Sequence, residues 1–234
     1  MQSLSSIELL SKEAPAEADR QLCEFAEQNL YTAVVSDSLD QLGVRHQAMR
    51  EYLRPIHARC KLAGWARTVA CSDVYHVPED PYAIEIEAVD SLLPGEVAVV
   101  GTQKSQRNAP WGELLSTAAK ARGARGAVVD GLIRDVRKIE ELGFPVFAAG
   151  IKPVDSMGRG MVTAYNLPVE CGEVIVHPGD FVFGDYDGIV VVPKAMVREV
   201  LALAADKVRR EDCSRSELLA GAYLRDVYKR YGVL

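Results

Sequence analysis

No apolar run in this 234-residue chain approaches the roughly 20 residues that cross a bilayer; stretches such as Val97–Val100 and Ile189–Val192 are far shorter. A membrane-spanning role is therefore not expected. Cysteine and histidine are scarce. Cys23, Cys60, Cys71, Cys171 and Cys213 are odd in number and never spaced as CxxC, which argues against a disulfide framework and a zinc knuckle. His46, His57, His76 and His177 share no i,i+4 spacing, so a histidine metal site is not expected either. Charge of one sign is also missing: 27 Lys plus Arg stand against 33 Asp plus Glu, giving a formal net charge of -6 without a block of like charge. Direct binding to nucleic acid or anionic lipid is not implied. The opening MQSLSSIELLSKEAPAEADR has neither a basic start nor an unbroken apolar stretch, so it does not read as a signal peptide, and a reducing cytoplasm is the expected setting.

What is present is the balance of a globular chain, 48% hydrophobic and 26% charged. At this length folding can bury roughly 70 to 75% of the unfolded surface, so neither metal nor disulfide is needed to hold a core. One domain over residues 1–234 is expected, with helical segments at about 1–43 and 195–234 packing on it or on neighbouring subunits.

The pattern predicts helix from Ile7 to Leu30, interrupted near Pro15, and a second helix capped by Thr32 and stopped by Gly43. A strand at Ala66–Cys71 precedes a helix opened by Asp80-Pro81 and ended by Pro94. Strand Val97–Val100, a helix from Gly112 to Gly123, strand Val128–Val129, helix Val136–Leu142 and strand Pro145–Ala148 then alternate, which argues for α/β architecture with both sheet faces covered. After Gly150 strands dominate, at Val162–Tyr165, Glu173–Val176, Phe181–Phe183 and Ile189–Val192. Pro94-Gly95-Glu96-Val97 is echoed by Pro178-Gly179-Asp180-Phe181, each a turn leading into an apolar strand. From Ala195 the chain reads as helix, and Ser214 with Glu217 forms a capping-box pattern for a last one.

Chemistry concentrates in Trp111-Gly112-Glu113-Leu114-Leu115 and Arg134-Asp135. A helix opened by glycine leaves backbone N–H groups free at the positive end of its dipole, a seat for a carboxylate or phosphate. Arg134 and Asp135 follow a strand and a Gly turn, at the sheet edge where ligands collect in α/β folds. Such a pair can fork onto an anionic oxygen and hold a hard divalent cation. On residue types alone the simpler reading, a first-turn acid and a surface ion pair, is preferred. Asp185 and Asp187 before Gly188 read as a hairpin turn, because the other ligands of a calcium loop are missing. Lys152 and Arg159 are candidates for a distal carboxylate, and Lys120, Arg122 and Arg125 form a basic cluster of the kind common on solvated faces.

These residues fall in a wider set: Ser36-Asp37-Ser38-Leu39-Asp40, Ala63-Gly64-Trp65-Ala66-Arg67-Thr68-Val69, Gly112-Glu113-Leu114-Leu115 with Ala118-Ala119-Lys120-Ala121-Arg122-Gly123, Asp130-Gly131, Arg134-Asp135, Gly143-Phe144-Pro145-Val146-Phe147, and Gly184 to Pro193. The set resembles the family of the regulator of ribonuclease activity A and the class II 4-hydroxy-4-methyl-2-oxoglutarate/4-carboxy-4-hydroxy-2-oxoadipate aldolases, over about Thr32 to Pro193. Its most specific element is an acid, twenty intervening positions and Arg-Asp, here Glu113, Arg134 and Asp135. The resemblance implies an α/β/β sandwich of the swivelling-domain kind, assembled as a trimer or hexamer with sites between subunits. It implies a Mg²⁺ or Mn²⁺ cofactor and a small 2-oxo acid substrate cleaved through a pyruvate enolate, by aldolase or oxaloacetate decarboxylase chemistry. Asp135 would be the metal ligand, Arg134 would hold the keto and carboxylate oxygens, and the amides of Gly112, Glu113, Leu114 and Leu115 would cradle the pyruvyl carboxylate. Glu113 would position a water as a proton acceptor, and Glu211 of a neighbouring subunit, or Asp212 or Glu217, would face the metal. Lys138 stands where the aldolases carry an acid. The resemblance also admits a second reading, a non-catalytic regulator that binds a ribonuclease.

Overall fold

The computed structural model describes residues 15–233; the part of the expected first helix before Pro15 lies outside them. Helix α1 (Pro15–Asn29) and helix α2 (Thr32–Gln41) lead into β1 (Arg54–Pro55), β2 (Leu62–Asp73), α3 (Ala83–Asp90), β3 (Glu96–Gly101), α4 (Glu113–Ala121), β4 (Gly126–Ile133), α5 (Val136–Leu142) and β5 (Val146–Ile151). The second half supplies β6 (Gly160–Tyr165), β7 (Val169–Cys171), β8 (Val174–Val176), β9 (Phe181–Asp185) and β10 (Gly188–Val192), a 3₁₀ turn at Lys194–Met196, α6 (Val197–Leu219) and α7 (Leu224–Tyr231).

Strands β2, β3, β4 and β5 are parallel neighbours, joined by helices in the expected α/β manner. β9 and β6 pair antiparallel with the two halves of β2, β10 pairs with β9, and β1 with β5. Residues 47–55 join the two edges: Met49 N–H donates to Ile189 O at 2.9 Å, while Arg54 and Pro55 pair with Ala148 and Phe147. The sheet is thus curled into a nearly closed barrel.

Strand alternation sorts the side chains. Val97, Val99, Val128, Phe147, Val182, Ile189 and Val191 point inward, where the β7–β8 hairpin adds Val169, Cys171, Val174 and Val176. Outward residues fall under two helical layers. Ala98, Val100, Ala127, Val129 and Val146 pack under α3, α4 and α5, and Ala63, Phe181, Phe183, Val190 and Val192 under α1, α2 and α6. Trp65 and Phe181 add an edge-to-face pair with ring centroids 5.4 Å apart. The echoed Pro-Gly turns flank one strand: Trp65 N–H donates to Gly95 O and Gly179 N–H to Ala66 O, so β3 and β9 enter the sheet on opposite sides of β2.

Three local expectations are corrected. Thr32 is the first residue of α2 rather than its cap; its N–H and hydroxyl both donate to the Asp185 carboxylate, at 2.8 and 2.6 Å. Helix α3 starts after Tyr82, past Asp80-Pro81. Ser214 and Glu217 lie within α6, which continues to Leu219; the break comes at Gly221, whose φ of +94° favours glycine. The Asp185–Gly188 segment is the expected hairpin turn, its Asp185 engaged by Thr32 and by the Asp187 N–H.

Candidate active site

The site forms where the carboxyl ends of β3 and β4 meet the start of α4. Trp111 makes a parallel bridge with Ile133, and Arg134 N–H donates to Trp111 O at 3.0 Å, which lays the Gly112 turn beside the end of β4. The Trp111 indole N–H donates to Ser116 Oγ at 2.9 Å and that hydroxyl donates to Gly112 O at 3.0 Å, so the first turn of α4 is tied down by its own side chains. Gly112 leaves little room for a side chain. A Cβ there would stand 3.0 Å from Asp135 Oδ2, 3.1 Å from Arg134 Cγ and 3.3 Å from Arg134 Nε. Twenty-two positions apart in sequence, Gly112 and Arg134 are in contact.

Asp135 occupies the N-cap position of α5 in the left-handed region, with φ +59° and ψ +30°. Aspartate tolerates that conformation better than most residues, and such outliers collect at functional sites. The bend turns the carboxylate back toward α4, where the Glu113 N–H lies 3.5 Å from Oδ2. The Arg134 and Asp135 side chains are 40% and 46% exposed, open to solvent on one side. Glu113 Oε1 accepts from Thr117 Oγ1 at 2.9 Å, Leu114 projects into solvent and Leu115 is half-buried against the α3–α5 layer. The structure therefore brings Gly112, Glu113, Arg134 and Asp135 together at one helix start.

It also adds residues that sequence reading passed over. Arg134 Nη2 donates to Asp155 Oδ1 at 2.9 Å, and the other oxygen, Oδ2, accepts from the Tyr82 hydroxyl at 2.5 Å and from Met157 N–H at 3.2 Å. Burial pulls the Asp155 carboxyl up, but the bonds from Tyr82 and Met157 and the charge of Arg134 outweigh it and leave it below the usual value. Burial, aided by Asp155, pushes the Tyr82 phenol to about 12. Glu85, one turn along α3, is lifted from the usual carboxyl value of 4.5 to about 7 by burial and by Asp155, against the pull of Arg134. The available signal for Asp155 was an aspartate followed two residues later by a backbone donor in Asp155-Ser156-Met157-Gly158, an Asx-turn pattern.

The other candidates are placed elsewhere. Lys152 Nζ donates to Gln106 O and Arg159 to the carbonyls of Asp155 and Met157. Lys138 is exposed on α5. The Lys120, Arg122 and Arg125 cluster disperses, to Leu142 O, Asp90 and Glu27. Glu211 lies on α6, in the other helical layer from Asp135, where its carboxylate accepts from the Tyr31 hydroxyl and lies 3.9 Å from Lys207 Nζ. Burial raises its carboxyl. Within one protomer Glu211 belongs to the α1/α2/α6 layer and Asp135 to the site, so a shared role requires two subunits.

Among the described residues no group of three or more His, Cys, Asp or Glu side chains forms a ready metal centre. A closed zinc-type cage does not fit. A cation of the magnesium type does, since it uses one or two carboxylates and keeps several waters. Asp135, partly exposed and beside Glu113, has that character. No helix of the described residues is long and apolar enough to cross a membrane.

A family model described as RraA-like, Aldolase/RraA, matches residues 32–191. A Halalkalibacterium halodurans protein, named provisionally as a 4-hydroxy-4-methyl-2-oxoglutarate aldolase, is 32% identical over 198 residues, 82% of this chain and 89% of its own. Among solved structures, Streptomyces coelicolor RraAS2, titled an unusual member of the RNase ES inhibitor RraA protein family, aligns with a TM-score of 0.74 at 31% identity over 83% of this chain and 96% of its own. A protein from Pseudomonas syringae shares the fold at a TM-score of 0.81 and 24% identity, over 91% of this chain and 94% of its own. With a match that spans the barrel, the Gly112 turn and the Arg134-Asp135 bend, the chain belongs to the RraA-like (Aldolase/RraA) family.

Proposed function

We propose that the protein is a divalent-metal-dependent lyase that cleaves a C–C bond in a small 2-oxo acid through a pyruvate enolate, as a 4-hydroxy-4-methyl-2-oxoglutarate-type aldolase, an oxaloacetate decarboxylase, or both. One observation carries the reading: the Arg134 side chain and the Asp135 carboxylate both pack against Gly112 at the start of α4, within 3.0 to 3.3 Å of where a Cβ would stand, and the Glu113 N–H lies 3.5 Å from Asp135 Oδ2. That sets a cation and a carboxylate beside the N–H donors of a helix start. Names given to relatives support the lyase chemistry.

In this reading the amides of Glu113, Leu114 and Leu115 receive the pyruvyl carboxylate at the positive end of α4. Arg134 holds the keto oxygen, where negative charge grows as the bond breaks, and its fixed position makes that stabilisation larger in the transition state than in the ground state. A Mg²⁺ or Mn²⁺ ion held by Asp135, with Glu113 nearby and Glu211 of a neighbouring subunit facing it, would supply Lewis-acid stabilisation of the same oxygens. In the retro-aldol direction Glu113 Oε2, the oxygen not engaged by Thr117, takes the 4-hydroxyl proton directly or through a water as the C3–C4 bond breaks and C4 becomes a carbonyl; protonation of the enolate at C3 gives pyruvate. Decarboxylation of oxaloacetate leaves the same enolate after loss of CO₂, so one site serves both substrates.

The likeness to RraAS2 favours a second reading, a regulator that binds a ribonuclease. The experiment that separates them measures pyruvate release from oxaloacetate and from 4-hydroxy-4-methyl-2-oxoglutarate, with Mg²⁺ or Mn²⁺ and after exhaustive chelation. Metal-dependent release is expected; activity untouched by chelation removes the metal, and no release from either substrate removes the lyase. Asp135→Ala is expected to abolish turnover and weaken metal binding by calorimetry, because few protein ligands hold such a cation. Arg134→Lys should keep metal binding yet lose roughly 2 to 4 kcal/mol of transition-state stabilisation, since lysine keeps the charge but not the fork.

A further inference from the structure

The side chain of Arg134 has five donors and long rotatable links, and a guanidinium 40% exposed has no reason to hold one orientation unless something fixes it. The fixing group is visible. Asp155 Oδ1 accepts from Nη2 at 2.9 Å, whereas Nε is buried without a hydrogen-bond partner. Asp155 is itself held on both sides: Tyr82, at the start of α3, donates to Oδ2 at 2.5 Å, and Met157 N–H donates to the same oxygen at 3.2 Å. The segment that carries it is anchored to the site's other walls, by Lys152 N–H to Ile133 O at 2.9 Å and Ala109 N–H to Val154 O at 2.8 Å. Ser156, buried, receives the N–H groups of Arg159 and Gly160 at 2.8 Å each.

We infer that Asp155, oriented by the Tyr82 hydroxyl, is a positioning residue that fixes the Arg134 guanidinium by one edge so that its remaining donors meet the substrate oxygens in a set direction. One carboxylate oxygen is spent on anchoring and the other on aiming. The arrangement follows the logic by which a buried acid orients a catalytic base, with an arginine in place of the base. Misplacing a charge-stabilising group by about an ångström costs on the order of 100-fold in rate, so the aim matters as much as the charge.

The inference rests on the reading of Arg134 as the substrate-binding cation, and the test separates the two. In ¹⁵N-labelled full-length protein, rotation of the Arg134 guanidinium about its Cζ–Nε bond, with the signal assigned from the Arg134→Lys variant, should be slow in the wild type, faster in Tyr82→Phe and fastest in Asp155→Ala. Equal rates in all three overturn the inference whatever the activity. In pyruvate release, Asp155→Ala should lower kcat roughly 10- to 100-fold with a smaller change in KM, and Asp155→Asn, which still accepts from Nη2, should lie between. Introduced into Arg134→Lys, Asp155→Ala should change the rate by no more than about twofold, because the group it aims is gone. Full multiplication of the two losses would show Asp155 acting independently of Arg134 and would also overturn the inference. A wild type that releases no pyruvate from either substrate removes the lyase reading alone, and the guanidinium rotation still decides the role of Asp155.

Discussion

Glu85 stands behind this site with Asp155 and Arg134 as the charged groups facing it, and its proton affinity is set more by burial than by either. Folded, it holds its proton up to about pH 7, whereas the unfolded chain releases it near 4.5. Between those values the native state binds more protons than the unfolded state, so stability falls as pH rises through the window, and the loss is complete above it. A shift of that size corresponds to at most about 3 kcal/mol, and partial solvent access brings it to roughly 2 to 3. Glu85→Gln, neutral at every pH, should therefore be more stable than wild type by about that amount at pH 8 and nearly equal to it at pH 4. Urea unfolding at both values and one protein concentration measures this; parallel pH profiles for the two proteins would show that Glu85 is not held protonated. The Glu85 effect was not legible in the sequence, because a lone glutamate on an acidic-looking helix carries no sign of burial. Arg134 and Asp135 were legible as a pair, since adjacency and a preceding strand end are local facts. Their partner Asp155 was not, being joined to Arg134 only by the turn of β5 back over the sheet.

At the level of elements, helices with local stops were readable and helices closed from afar were not. Val136–Leu142 and its Gly143 stop coincide with α5, and Gly112 opens α4 as its spacing indicates. Helix α2 instead takes its capping oxygen from Asp185, 153 residues away, and threonine at its first position mimics a local cap. Ser214-x-x-Glu217 has the letters of a capping box, but neither Gly nor Pro interrupts α6 there and Ser214 is buried, so α6 does not stop. β1 and β7 are two and three residues long, too short for any alternation to register. The distant cap makes a prediction. Asp185→Ala removes the acceptor for the Thr32 N–H and hydroxyl and should cost about 1 to 2 kcal/mol, the upper part of the range for a helix cap, while Asp185→Asn should cost less. Denaturant titration decides it, and an unchanged midpoint for Asp185→Ala would mean that α2 is held by packing alone.

For the whole molecule, the proposed metal site is built on α4 and α5, whereas the acid expected to face it lies on α6. The two helical layers cover different stretches of the barrel's outer surface, so Glu211 and Asp135 of one protomer are separated by the sheet that carries them. The C-terminal hairpin of α6 and α7 leaves Leu219, Tyr223, Leu224 and Tyr228 exposed, an apolar surface beside the groove that Glu211 lines with Leu218 and Val227. Exposure of that kind fits contact between subunits, and closed symmetry would repeat it at every interface. We propose a trimer or hexamer in which Glu211 serves the neighbouring site, to be checked first by light scattering. The sharper test is complementation. Arg134→Lys and Glu211→Gln chains, each impaired alone, should regain activity when co-expressed, because a mixed oligomer contains sites that take Arg134 from one chain and Glu211 from another. Each such site is intact even though no chain is. Activity no higher than that of the two separate variants, in oligomers shown to be mixed, would place Glu211 outside the site and leave its carboxylate to the Tyr31 hydroxyl and Lys207 of its own chain.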